Sequence, residues 1–133
     1  MSTHKFQAIS SSNAPAAIGP YSQAIAAGGF LFVSGQLPLS ANGTTMPDDI
    51  GAQAQASLHN ISAIAQSAGC TLKDVVKLTV YMADLSGFAT VNDVMAATFT
   101  APYPARATVE VAALPKAAGI EIEAVLALPV CLG

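Results

Sequence analysis

The segment PYPARATVE, residues 102–110, contains the single arginine of the 133-residue chain. Its two prolines favour extended backbone before Arg106, so a stiff segment carries the arginine. The alternation that follows is typical of a β-strand whose polar face carries Arg106, Thr108 and Glu110. A guanidinium offers a planar fork of donors that binds a carboxylate or phosphate through two hydrogen bonds. The segment therefore predicts an anion-binding strand, with a structural ion pair between Arg106 and Glu110 as the alternative.

The composition predicts one apolar domain, residues 1–133, that associates with copies of itself. Hydrophobic residues make up 53% of the chain and charged residues 10%, against about 25% charged residues in typical soluble domains. A chain of this length holds one core, so we expect the remaining apolar surface to be buried in a homo-oligomer. The longest apolar run, residues 124–132, contains Pro129 and is shorter than the roughly 20 residues of a membrane-spanning helix.

Charge and motifs exclude several functional classes. The net charge of -3 argues against general nucleic-acid binding. The sequence shows no phosphate loop, metal-ligand cluster or dinucleotide fingerprint. The N-terminus has no apolar signal region, and Cys70 and Cys131 have no metal spacing. We expect both cysteines to be small buried residues of a cytoplasmic protein.

Hydrophobic periodicity predicts strands separated by two helices. Asp48 and Asp49 favour a helix start, and the pair Gly28-Gly29 favours a tight hairpin turn. In the strand over residues 75–83 we expect Val76, Leu78, Val80 and Met82 to share one side. Residues 10–21 form a long loop of the kind that often carries function. The predicted strands cover residues 5–9, 23–27, 30–34, 75–83, 106–112 and 120–128, and the predicted helices cover residues 50–68 and 88–99.

Two carboxylates in the last strand form the second candidate site. Glu121 and Glu123 share one face of an otherwise apolar strand, where charge is costly without a cation or water opposite. A short turn joins the arginine strand to this strand, so we expect the two to be antiparallel neighbours. Arg106 and a glutamate would then lie on one wall, combining a carboxylate grip with a general acid or base. A solvated face is the alternative interpretation of the glutamates.

Four further residues have two interpretations each. Tyr21 ends the long loop and belongs either to the core or to the wall of a pocket. Ser34 lacks a nucleophile elbow, which favours a hydrogen-bonding role. His59 has no partner at metal-ligand spacing, so we expect it to lie at the surface or to have its hydrogen bonds satisfied within the fold. Asn92 lies inside a predicted helix, where it is either tolerated or braces a neighbouring loop.

Several segments, taken in order, resemble the reactive intermediate deaminase family, RidA, also called YjgF. The resemblance covers nearly the whole chain and rests on APAAIGPYSQ (residues 14–23), VSGQ (33–36), YPAR (103–106), VEVA (109–112), LPK (114–116) and IEIEA (120–124). It implies a chorismate-mutase-like α+β fold, with about six mainly antiparallel strands and two helices on one face. It also implies a homotrimer with clefts between subunits, and no cofactor.

The activity implied by the resemblance is hydrolysis of C=N bonds. Family members convert reactive enamines and imines of the 2-aminoacrylate type to 2-oxo acids and ammonia, which protects pyridoxal-phosphate enzymes. By resemblance, Arg106 binds the substrate carboxylate, Glu121 activates water and Tyr21 closes the cleft. The residues that line or shape the cleft are Ser34, Gly35, Asn92, Thr108 and Pro115.

Two residues depart from the family pattern. Thr108 stands where some members have cysteine, which excludes a thiol mechanism here. Ala113 replaces a common basic residue, so the charge of the cleft or a subunit contact differs. Two other functions stay open: an endoribonuclease or translation inhibitor, and a non-catalytic binder of small carboxylates that uses the same arginine.

Overall fold

Six β-strands form one sheet in the order β1-β2-β3-β6-β4-β5. The structure is a computed structural model, and it describes residues 5–129. All neighbouring strands are antiparallel except β4 and β5, which are parallel. The predicted α+β class, with six strands and two helices, is therefore confirmed. The elements are β1 (Phe6–Ile9), β2 (Ala24–Ala27), β3 (Phe30–Gln36), α1 (Ile50–Gln66), β4 (Val75–Met82), α2 (Phe88–Thr98), β5 (Ala105–Glu110) and β6 (Ile120–Ala127).

Local sequence signals account for the first hairpin and for both ends of α1. Gly28 and Gly29 take φ values of 59° and 85° between β2 and β3, a conformation that suits glycine. Asp49 caps α1, because its Oδ2 accepts a 2.9 Å hydrogen bond from the Ala52 N–H. Gly69, with φ of 76°, follows the end of that helix.

The helices cover one face of the sheet and leave the other face open. The apolar stripe of α1, including Leu58 and Ile61, packs on alternate residues of the central strands, including Val80 and Ile122. On the opposite face Phe32 remains 47% exposed and Val109 42% exposed. An uncovered apolar face of this kind is typical of a surface that is buried on association.

A β-bulge overturns the predicted facing of Val76. The register between β4 and β6 shifts between Val75 and Lys77, so the alternation is interrupted there. Val75 is buried, whereas Val76 is 41% exposed. The prediction for Leu78, Val80 and Met82 is confirmed, since all three are buried.

The predicted pairing of the arginine strand with the last strand is wrong. β5 pairs only with β4, and β6 lies between β3 and β4. The helical connection through α2 brings β5 back parallel to β4, as β-α-β crossovers do. Residues 111–119 then carry the chain past β4, through a 3-10 turn at Pro115–Ala117 that includes Lys116 at φ 57°.

Two smaller observations concern the cysteines and the membrane. Cys70 is buried, and burial together with the nearby Asp74 raises the pKa of its thiol. Cys131 lies outside the described residues. Within residues 5–129, neither helix combines the length and the hydropathy that crossing a bilayer requires.

Candidate active site

Arg106 is fixed by two residues of α2. Its Nη1 donates a 2.9 Å hydrogen bond to Asn92 Oδ1, and its Cζ lies 5.5 Å from the centre of the Phe88 ring. Phe88 and Asn92 are four positions apart in α2, so both reach the same strand. Glu110 instead accepts a 2.9 Å hydrogen bond from the Leu85 N–H. Among the described residues no carboxylate pairs with Arg106, which leaves the guanidinium available to an anion.

Thr108 extends this cluster along β5. It pairs across the sheet with Val80, as Arg106 pairs with Leu78, so both project to the face that carries the helices. Asn92 thus braces the arginine and not a loop. We call Phe88, Asn92, Arg106 and Thr108 the arginine group.

A cleft of about 470 Å³ opens beside the guanidinium. Arg106 and Asn92 supply its polar end. The remaining lining comes from Leu78, Met95, Ala96, Phe99, Tyr103 and Pro104.

Glu121 lies on the open face of the sheet, against a bulge in β3. Val33 pairs with Ala124 and Gln36 with Ile122, so β3 contains one extra residue at Ser34 and Gly35. A Cβ at Gly35 would lie 2.7 Å from Glu121 Oε2, so only glycine leaves room for the carboxylate in this position.

A second acidic residue and a tyrosine lie next to Glu121. Tyr81, across from Glu121 on β4, donates a 2.5 Å hydrogen bond to Glu123 Oε1, and this bond raises the pKa of Tyr81. Burial, followed by the charge of Glu123, raises the pKa of Glu121. No described residue donates a hydrogen bond to Glu121, so its oxygens can accept from water.

The long loop is attached to the same bulge. Ser34 Oγ donates to the Ser22 carbonyl at 2.7 Å, and the Ser34 N–H donates to the Gln23 carbonyl at 2.9 Å. Ser34 therefore has the expected hydrogen-bonding role. Tyr21 is 53% exposed, which excludes the core alternative for its side chain. We call Tyr21, Ser34, Gly35 and Glu121 the glutamate group.

Pro115 and His59 belong to neither group. Pro115 is exposed in the turn that precedes β6. His59 is exposed on α1, beside a surface groove formed with residues 38–47, so the surface interpretation of this histidine is confirmed. The described residues contain no cluster of three or more His, Cys, Asp or Glu side chains that could hold a metal ion.

The two groups do not meet within one chain. Arg106 projects to the helix-covered face and Glu121 to the open face, with β4 between their strands. The expectation of a shared wall is wrong, because it depended on the wrong strand order. Each group is complementary to the other: one has a cation without a base, and the other has a base without a cation.

Sequence reasoning missed Phe88 and Tyr81. The spacing of Phe88 and Asn92 in a predicted helix, beside a strand with a lone arginine, could have indicated the first. The partnership of Tyr81 with Glu123 follows from the position of β6 beside β4, which the sequence did not reveal.

The fold and the two groups define an α+β protein with an arginine on one face of its sheet and a glutamate on the other. Residues 11–128 match the family model described as Endoribonuclease L-PSP. The chain is 49% identical over 120 residues to the 2-iminobutanoate/2-iminopropanoate deaminase of Escherichia coli, covering 88% of this chain and 94% of that protein. It is 52% identical over 121 residues to the RutC family protein y4sK of Sinorhizobium fredii. That alignment covers 90% of this chain and 96% of that protein.

A solved structure has the same fold. RidA from the Antarctic bacterium Psychrobacter superposes with a TM-score of 0.87 at 46% identity, over 92% of this chain and 99% of that one. The match to the Endoribonuclease L-PSP family model and the likeness to this RidA structure show the same family. The chain belongs to the RidA/YjgF family.

Proposed function

We propose that this protein hydrolyses 2-imino acids and their enamine tautomers to 2-oxo acids and ammonia, in a site shared by two subunits. The observation that carries the proposal is the separation of two complementary groups onto opposite faces of one sheet. A relative 49% identical bears the name 2-iminobutanoate/2-iminopropanoate deaminase, which supports this substrate class.

Arg106 binds the substrate carboxylate through its two-pronged fork. Asn92 and the Phe88 ring already fix the guanidinium, so little side-chain freedom is lost on binding. The bound carboxylate then sets the position of the adjacent imine carbon, and positioning of this kind can supply a large part of the rate acceleration.

Glu121 activates the attacking water. Its raised pKa makes its ionised form a stronger base than an exposed glutamate. Water adds to the imine carbon as Glu121 takes its proton, and that proton then passes to the nitrogen. The C–N bond breaks as the carbonyl forms, so one imino acid and one water give one 2-oxo acid and one ammonia.

The remaining residues shape the site. Gly35 leaves room for the carboxylate of Glu121, and Tyr21 closes the site between subunits from the long loop. Ser34 and Pro115 shape this inter-subunit site, and Thr108 lines it without offering a thiol nucleophile. No cofactor takes part in these steps.

The shared site arises in a homotrimer whose open sheet faces turn inward. Burial of exposed apolar residues such as Phe32 and Val109 favours this association. The arginine group on edge strand β5 of one subunit then meets the glutamate group of its neighbour. The protein acts in the cytoplasm on small-molecule substrates.

A coupled assay tests the activity. A serine or threonine dehydratase releases its imine, and the rate of 2-oxo acid appearance is followed with and without this protein. We expect acceleration by the wild-type protein and a loss of about 100-fold or more in kcat/KM for Arg106→Ala, because the carboxylate grip is removed. Lys73→Ala, which removes an exposed cation in the turn before β4, is the control. An unchanged rate with the wild-type protein refutes the proposal.

A second candidate function is endoribonuclease activity, which the description of the matching family model favours. The net charge of -3 opposes RNA binding. Incubation of RNA with highly purified protein separates the two functions, since we expect the RNA to remain intact.

A non-catalytic carboxylate binder would use the same arginine group. Glu121→Gln distinguishes it from the enzyme. Loss of turnover with 2-oxo acid affinity retained supports catalysis, whereas a wild-type protein that binds without turnover supports the binder.

A further inference from the structure

Most of the residues that line the cleft beside Arg106 have apolar side chains. Leu78, Met95 and Phe99 are buried and form its floor, while Ala96 and Tyr103 are exposed at its rim. The only charged side chain in the lining is Arg106, at one end, where Asn92 is also located. The cleft therefore matches a molecule that has an anionic head and an apolar body.

The cleft lies where the side chain of a bound imino acid must begin. In a 2-imino acid the side chain branches from the carbon next to the carboxylate. A carboxylate held by Arg106 thus places the first side-chain atom a few ångströms from the guanidinium, which lines the cleft. A volume of about 470 Å³ falls in the range of sites that enclose small molecules, and a methyl or ethyl group would leave most of it unfilled.

The lining also disfavours a substrate with a charged side chain. A charged side chain entering the cleft would lose its hydration, and apart from Arg106 no lining residue could compensate for it as an ionic partner. Each apolar carbon that enters the cleft leaves water, and this transfer makes the free energy of binding more favourable.

We infer that the cleft formed by Leu78, Met95, Ala96, Phe99 and Tyr103 selects 2-imino acids with bulky apolar side chains, such as those derived from leucine, over the smallest members of the class. This inference rests on the proposed function and adds to it a substrate preference and the residues that determine it.

The experiment compares two imines on the same protein. An L-amino acid oxidase generates them from leucine and from alanine, and semicarbazide competes for the imine, so the fall in semicarbazone yield gives kcat/KM for each. Since one methylene in a hydrophobic pocket is worth roughly 10-fold or more, we expect the leucine-derived imine to be preferred by at least about 10-fold.

Ala96→Phe fills the cleft from an exposed helix position. We expect it to lower kcat/KM for the leucine-derived imine by about 10-fold or more and to leave the alanine-derived imine within about 3-fold. Ala97→Phe is the matched control, because Ala97 is the next residue of α2, is exposed, and is absent from the lining. It should change neither value.

The outcomes separate this inference from the proposed function. Equal kcat/KM for the two imines, or an equal loss of both in Ala96→Phe, overturns the inference while the deaminase activity stands. A protein that hydrolyses neither imine overturns both.

Discussion

At the level of single residues, Arg106 depends on a ring as well as on a hydrogen bond. The guanidinium lies over Phe88 and donates to Asn92. Cation–π contacts at exposed sites contribute about 0.5–1 kcal/mol. The ring and the amide together therefore restrict the orientation of the arginine fork.

Phe88→Leu removes the ring and keeps an apolar side chain. We expect KM to rise about 2-fold to 5-fold with kcat nearly unchanged, because the loss of about 0.5–1 kcal/mol affects binding of the carboxylate in every state. Steady-state kinetics with a 2-imino acid measure this split. Phe88→Tyr, which retains a ring, should restore the wild-type KM, and a KM unaffected by Phe88→Leu contradicts the role.

The second residue-level feature is the pair of carboxylates on β6. Glu123 faces the same side as Glu121, and Tyr81 holds Glu123 by a hydrogen bond. The negative charge of Glu123 disfavours ionisation of Glu121 and contributes to its raised pKa.

Glu123→Gln removes that charge and retains a group that can accept from Tyr81. Glu121 then ionises more readily, so its pKa falls. We expect the acidic limb of the kcat/KM profile, where Glu121 gains its proton, to move to lower pH. A pH–rate profile of both proteins checks this, and a limb that stays in place or moves to higher pH would contradict the assignment of Glu121 as the base.

At the level of elements, one buried glutamine fixes the long loop that carries Tyr21. Gln23 Oε1 accepts from the Ser11 N–H at 2.6 Å, and Nε2 donates to the Pro15 carbonyl at 2.7 Å and the Ser11 carbonyl at 3.2 Å. The loop thereby gains the hydrogen bonds that a strand would otherwise supply.

Gln23→Ala should therefore loosen the loop and lower the stability of the fold. We expect a loss of roughly 2–3 kcal/mol in the free energy of unfolding, from several hydrogen bonds of about 1 kcal/mol each. Urea denaturation measures it, and hydrogen exchange at Ser11 should become faster. Gln55→Ala, at an exposed position of α1, is the control and should stay within about 0.5 kcal/mol of wild type. Equal stabilities for the two variants would count against this role.

Two predictions from the sequence were wrong at the level of elements: the facing of Val76 and the pairing of β5. Periodicity located both helices and all six strands, but it placed Val76 on the same side as Leu78 because a bulge leaves no mark in the alternation of apolar residues. It paired β5 with β6 because a short connection usually joins neighbouring strands, whereas the β4-α2-β5 crossover had already placed β5 beside β4.

At the level of the whole molecule, the proposed active site requires two chains, because one chain keeps Arg106 and Glu121 on opposite faces of its sheet. Co-assembly of Arg106→Ala subunits with Glu121→Gln subunits tests this directly. Each variant alone should be inactive, while a mixed particle contains some sites that combine the intact Arg106 of one chain with the intact Glu121 of the other. In a random mixture, half of the sites receive an intact Arg106, and half of those also receive an intact Glu121. We therefore expect about a quarter of the wild-type activity to return.

The control for this mixing experiment is a double variant, Arg106→Ala with Glu121→Gln in the same chain, mixed with the Arg106→Ala subunit. No site in that mixture regains both residues, so activity should not return. A lack of recovery in the first mixture, with mixed particles verified by mass, would refute a site shared between subunits.

The sequence by itself determined the α+β class, the helix and strand positions, the lone arginine and the glutamates of the last strand. These follow from local rules: side-chain periodicity, caps and turn residues act over a few positions of the chain. Only the tertiary structure decided that β4 separates Arg106 from Glu121, that Phe88 and Asn92 hold the arginine, and that a bulge at Gly35 makes room for the glutamate. The reason is that strand order and cross-strand contacts depend on which distant segments pack together, and that choice is made by the whole core.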